Sequence, residues 1–192
     1  MVAVLPDAAR RVDTEYDYRE RRGSATAGRL LKAIQLDSFF YSAVAENPAR
    51  TREAVLVGFA SSLVMGLGLM LMRIIPPISW LLGGLAWGAL LLFGGSWFLV
   101  SIGRRLGGSA EFGQMLRPLG YAMAPQALGF VPLADFIPGF LVGATWSIAC
   151  VVVAVREAQR IPTRLAAALV VAPIFVLIGV APLVAIALGG GG

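Results

Sequence analysis

No histidine occurs anywhere in the 192 residues, and there is one cysteine, Cys150, and one lysine, Lys32. The first absence removes imidazole general bases, Ser-His nucleophile pairs and histidine-ligated zinc or haem together. A single thiol forms no internal disulfide, so cysteine usage says nothing of the compartment. Charge is scarce as well: 14% of residues are charged, against about a quarter in an ordinary soluble domain. That is too little to solvate a globular surface. With 58% hydrophobic residues and a mean hydropathy of +0.79, the composition is that of an integral membrane protein.

The net charge of +5 raises a nucleic-acid reading, which its distribution opposes. Residues 1–53 hold nine Lys/Arg and eight Asp/Glu, so the one sizeable polar region is nearly neutral. No basic stripe with interleaved aromatics is present to track a phosphate backbone, and no nucleic-acid partner is expected. Residues 1–28 alternate charges and lack the apolar core of a secretory signal. They read as a mobile cytoplasmic tail, in which interspersed acids weaken the attraction of Arg19-Glu20-Arg21-Arg22 for anionic lipid.

A helix crossing the hydrocarbon core needs about 20 mostly apolar residues. Residues 54–72, 78–102, 136–155 and 165–188 meet that length, with Trp80 and Trp97 placed as interfacial anchors of the second. Between the second and third of these runs lies GGSAEFGQMLRPLGYAMAPQ, residues 107–126, which opens polar and turns apolar. If residues 118–134 cross as a fifth span, with the N-terminus in the cytoplasm, 15 Lys/Arg fall inside and only Arg73 outside. If they dip in and return, the ratio is 12 against 4. The crossing topology obeys the positive-inside rule far better, and it places the C-terminus outside.

That span is a poor helix on paper. Pro118, Pro125 and Pro132 each remove a backbone donor, while Gly120 and Gly129 add flexibility. Irregular backbone in a bilayer needs cover from protein or a water-filled cavity. Tyr121 and Pro125 are therefore expected to shape the break, with lining of a cavity as the sharper alternative. Residues 109–117 read as a short helix on the cytoplasmic surface, capped by Ser109. Asp135 and Arg73, both outside in this topology, are a candidate pair at the far ends of the spans.

Small residues mark where helices pack. Gly139, Gly143, Ser147, Cys150 and Ala154 fall on one stripe of the fourth span, and Gly84, Gly88 and Gly95 make another in the second. Such stripes let backbones approach closely inside one bundle or between copies of a chain. Ahead of the first span, residues 29–53 hold two signals. Asp37-Ser38 caps a helix whose Phe40, Tyr41 and Val44 share a face beside Phe39, an expected anchor on the cytoplasmic leaflet. Asn47-Pro48 then starts the helix that enters the membrane. The Gly run 189–192 follows the last span.

The order of a cytoplasmic tail, a DSFFYSAVAEN helix, two spans, GGSAEFGQMLRPLGYAMAP and three closely spaced spans resembles the Yip domain family in its bacterial branch. The resemblance covers roughly residues 30–188 and is strongest from Phe112 to Pro125. It implies an all-α bundle of five spans with a cytoplasmic N-terminus, and a link, in eukaryotic members, to vesicle trafficking and prenylated small GTPases. The longer acidic and aromatic N-terminal motif of those members has no counterpart here, so GTPase binding is not carried over. Fifteen arginines against one lysine point, by association, to a bacterial source and hence to the inner membrane.

Three function classes remain to be weighed. An intramembrane enzyme needs paired carboxylates, a Ser-Lys pair or metal ligands within reach, and Ser61, Ser62, Ser96 and Ser147 have no evident base. No catalytic residue, cofactor or metal is expected. A small transporter or channel subunit would place charges along its path, yet Arg73, Asp135 and Glu157 all lie near span ends. Its site would be the Pro-broken third span. A scaffold or adaptor acting through helix–helix contacts, lipids, a homo-oligomer or a membrane-protein partner fits the residues best.

Overall fold

The structure is a computed structural model. It describes residues 26–73, 76, 78–130, 132–134 and 137–189, and of 132–134, 137–138 and 177–189 the backbone alone. The expected tail before residue 26, Asp135 and the terminal residues 190–192 lie outside the described residues.

Helix α1 (Thr26–Ile34) ends in a Schellman closure. Leu36 takes φ 60°, the Asp37 N–H reaches Lys32 O at 3.1 Å, and the Leu36 N–H reaches Ala33 O at 3.1 Å. The reversal puts Asp37 at once into the N-cap of α2 (Ser38–Glu46), where its Oδ1 accepts the N–H groups of Phe39 and Phe40 at 3.0 and 3.1 Å. Asn47 caps the next turn through the Ala49 N–H (3.1 Å), and a 3₁₀ turn over Pro48–Arg50 leads into α3 (Thr51–Leu71). Helix α4 (Ser79–Arg105) returns, with a π-helical stretch at Leu90–Gly94 that composition did not announce. Gly107, at φ 91°, closes it, and the Gly108 N–H bonds Gly103 O at 2.8 Å.

Helix α5 (Phe112–Ala122) differs from expectation in three respects. Its cap is Glu111 rather than Ser109: Glu111 and Gln114 form a reciprocal capping box, with the Glu111 N–H donating to Gln114 Oε1 at 2.8 Å. It is no surface helix, because residues 115–126 are all buried. It also runs through Pro118 unbroken. The regular helix ends four residues later, at Ala122, and the chain then tightens to 3₁₀ over Ala124–Phe130 around Pro125. A short antiparallel pair, β1 (Pro132–Ala134) and β2 (Ile137–Pro138), turns the chain. Helix α6 (Gly139–Gln159) returns to the first end, Arg160 closes it at φ 56°, and α7 (Thr163–Gly189) follows.

The segment from α5 through its 3₁₀ extension is the centre of the molecule, packed between α3 and α6 with α2 across one end. Three helices are long and apolar enough to cross a membrane, Pro48–Leu71, Ser79–Arg105 and Gly139–Gln159, and α7 is apolar over Thr163–Val176. Exposed Leu82, Trp97, Leu141 and Phe175 give these helices the outward apolar surface that lipid solvates.

One expected surface is turned inward. Phe40, Tyr41 and Val44, read as a face lying on the leaflet, are buried against α5 and α6, and Phe39 alone of the aromatic trio is half exposed. The sequence pattern shows an apolar face but not what covers it. Protein reached it first, because α5 presents Tyr121 to that face, edge-on to the Phe40 ring at 5.2 Å and 85°.

Candidate functional site

The polar chemistry of the described residues collects where α1 and α2 cover the ends of α3, α5 and α6. A helix end leaves carbonyls without partners, and here side chains from below supply them. Ala33 O accepts the Tyr41 hydroxyl at 3.1 Å and the Cys150 thiol at 3.5 Å, and Ile34 O accepts Trp146 Nε1–H at 2.8 Å. The other end of α1 is tied by charge: Arg29 Nε donates to Glu53 Oε1 at 2.7 Å, and Arg50 reaches Glu53 Oε2 at 3.4 Å. Partial burial opposes the charge on Arg29, but the Glu53 carboxylate more than offsets it and holds the guanidinium above its ordinary pKa.

Beneath this strap lies Tyr121, fully buried. Its hydroxyl sits within electrostatic reach of Glu53 and Arg29 yet makes no close hydrogen bond. Cys150, the one thiol of the chain, is equally buried under Ala33. It is therefore a native reporter of the strap. Wild-type protein in detergent is expected to react slowly with a water-soluble maleimide, and Arg29→Ala is expected to raise the rate roughly tenfold, since a hydrogen bond to a charged group contributes about 1.5 kcal/mol. Labelling kinetics followed by mass check this.

Two further buried polar groups join elements. Arg117, counted from sequence among the cytoplasmic charges, is 7% exposed, and its Nη1 donates to Ala45 O of α2. Gln159, at the end of α6, donates from Nε2 to Leu99 O of α4 at 3.0 Å and accepts the Ala110 N–H on Oε1 at 3.2 Å. Gly103 and Gly108 leave the space its amide occupies. Neither role was foreseen. The available signal was a polar side chain one turn beyond an apolar face, a pattern shared by any solvated helix end.

A cavity of about 380 Å³ opens beside these groups. Ser42 and Glu46 of α2, Ser109 and Gln114 around the start of α5, and Glu157 and Arg160 at the end of α6 line it, over Ala45 and Ala158. Arg160 Nη2 bridges to Glu46 Oε1 at 2.7 Å.

The residues singled out in the sequence fall as follows. Gly139, Gly143 and Ser147 lie on the buried face of α6, and a Cβ on Gly143 would run into Pro125 O. Gly84 and Gly88 face Ser62 and its neighbours on α3, and Gly95 faces Leu119. Pro125 is buried in the 3₁₀ segment, beside α6. Arg73 is exposed at φ 58° at the far end of α3, and its expected partner Asp135 lies outside the described residues. The structure thus brings Phe40, Tyr41 and Tyr121 together and leaves Arg73 apart. Among the described residues, no group of three His, Cys, Asp or Glu is placed to hold a metal.

A Yip1 domain model matches residues 36–186. The chain belongs to the Yip1 domain family. No curated protein and no solved structure matches it. In this Yip1 protein the matched region begins at the Schellman residue Leu36 and takes in α2 through most of α7. The buried α5 segment and the cavity therefore belong to the Yip1 domain itself, while the strap helix α1 precedes it.

Proposed function

We propose that this Yip1 protein is a non-catalytic membrane scaffold or adaptor of the bacterial inner membrane, with five spans, a cytoplasmic N-terminus and an outward C-terminus. It organises lipids and a protein partner, or further copies of itself, around the α1–α2 platform. The observation that carries the reading is what the buried polar side chains do. Buried Tyr41, Arg117 and Gln159 each bond the backbone of a neighbouring element, so they hold a platform in place rather than converge on a reacting atom. As for span count, the α5 helix and its 3₁₀ extension reach about 30 Å at ~1.5 and ~2 Å per residue, the depth of the hydrocarbon core.

Topology and role are tested separately. In a Cys150→Ser background, cysteines placed at Ala27 and Leu188 are expected to label from opposite sides of sealed vesicles. Labelling from the same side would mean that residues 118–134 re-enter and would remove the five-span topology. For the role, protein extracted into nanodiscs is expected to carry a stoichiometric protein partner or to form a defined homo-oligomer by mass photometry. A lone monomer holding a tightly bound ion or small solute would instead favour transport through the Pro125 segment.

A further inference from the structure

We propose that the cavity between α2, the start of α5 and the end of α6 is a binding site for a primary ammonium next to a phosphate, the chemistry of an ethanolamine-type phospholipid headgroup. The inference deepens the scaffold reading by naming a lipid class, and it starts from which hydrogen-bonding capacity the lining leaves open. Glu157 receives Arg156 on Oε1, from Nε at 2.8 Å and Nη2 at 2.6 Å. Glu46 receives Arg160 on Oε1 at 2.7 Å. The Oε2 atoms of both carboxylates have no protein partner among the described residues. The Ser42 hydroxyl donates to Phe39 O at 3.0 Å, which leaves its oxygen lone pairs as acceptors. This wall accepts hydrogen bonds, and an –NH₃⁺ group brings three donors.

Donors stand beside it. Gln114 Oε1 is taken by the Glu111 N–H, so the side of its amide still open is the donating NH₂. Arg160 keeps further N–H groups beyond the one on Glu46, in the fork geometry that suits a phosphate oxygen. Acceptors for an ammonium and donors for a phosphate thus share one cavity of about 380 Å³, room for a headgroup and at the small end for ligand sites. The depth is right as well. The cavity lies at the end of the bundle where Arg104, Arg105 and Arg164 are exposed, the residues expected at headgroup level. A choline headgroup fits poorly: its methylated nitrogen donates no N–H, and among the described residues the cavity lining contains no aromatic ring to receive it by cation–π contact.

The experiment is native mass spectrometry of the full chain released from nanodiscs holding equal phosphatidylethanolamine and phosphatidylcholine of the same acyl chains. Wild type is expected to retain the ethanolamine lipid at least fivefold over the choline lipid, and Glu157→Gln and Glu46→Gln to bring the ratio close to one. Circular dichroism and a monodisperse profile verify that each variant is folded. Soluble phosphoethanolamine is the second arm. Competition with retained lipid supports the site and a lipid source, whereas binding of the soluble compound without lipid enrichment supports the same chemistry and assigns it to a free solute. Equal retention of the two lipids by wild type together with no binding of phosphoethanolamine would overturn the proposal, as would a preference that survives in both variants. Oligomer and partner masses come from the same spectra, so the scaffold reading stands or falls on different peaks.

Discussion

Gly120→Val is expected to leave no folded protein. Gly120 lies in the last turn of α5 where that helix crosses α3, and a Cβ built on it would stand 2.7 Å from the carbonyl carbon of Ala54 and overlap the carbonyl oxygen. Both walls of the clash are helix backbone, so no side chain can swing aside. To relieve it, α5 must retreat from α3 and strip contacts along a segment buried from Met115 to Gln126. Ordinary overpacking costs about 1–3 kcal/mol, and a backbone-to-backbone collision at the centre of a bundle exceeds that range. Gly83→Ala is the control: a Cβ there meets nothing within 4 Å, and Ala is the better helix former. Purified yield and fluorescence-detected size exclusion should show Gly83→Ala indistinguishable from wild type and Gly120→Val aggregated or absent. A monodisperse Gly120→Val would mean that α5 and α3 do not cross at this point.

Gln159→Leu is the second large effect, and here the protein should fold but weaken. The substitution keeps the volume and removes two side-chain bonds that join α6 to α4 and to the loop before α5. It leaves the buried Ala110 N–H with no acceptor, and an orphaned buried donor costs about 1–3 kcal/mol. With the lost bond to Leu99 O, the total is about 3 kcal/mol, and at ~2–4 °C per kcal/mol for a chain of this size the unfolding midpoint should fall by about 10 °C. Dye-based thermal unfolding of the detergent-solubilised protein checks the shift. Because the contact lies away from α1, Cys150 labelling of the folded variant should stay at the wild-type rate, unlike that of Arg29→Ala.

How far these features were legible in advance varied with their range along the chain. Asp37 and Asn47 capped as expected because a cap is settled within three residues. The small-residue stripe of α6 was visible because helical spacing alone puts Gly139, Gly143, Ser147, Cys150 and Ala154 on one face. The role of Gly120 was not: flexibility was the local reading of a glycine between prolines, and its contact with Ala54 joins residues 66 positions apart by number. Pro118 misled for a related reason. A proline removes one N–H and disfavours the preceding turn, but that local cost is small beside the packing of a segment buried on every side.

The same distinction separates what each level decided about this protein. Composition and run length determined that it lives in a membrane, because the chain has too little charge to face water and has runs long enough to cross a bilayer. The order of its motifs determined the family. Tertiary structure decided what the few polar residues are for. Arg117 became an internal tie rather than a cytoplasmic charge, Phe40 and Tyr41 met Tyr121 rather than lipid, and Glu46 and Glu157 came to face one cavity. In a low-dielectric interior a polar group must find a partner, and which partner is nearest depends on helices brought together from distant parts of the chain.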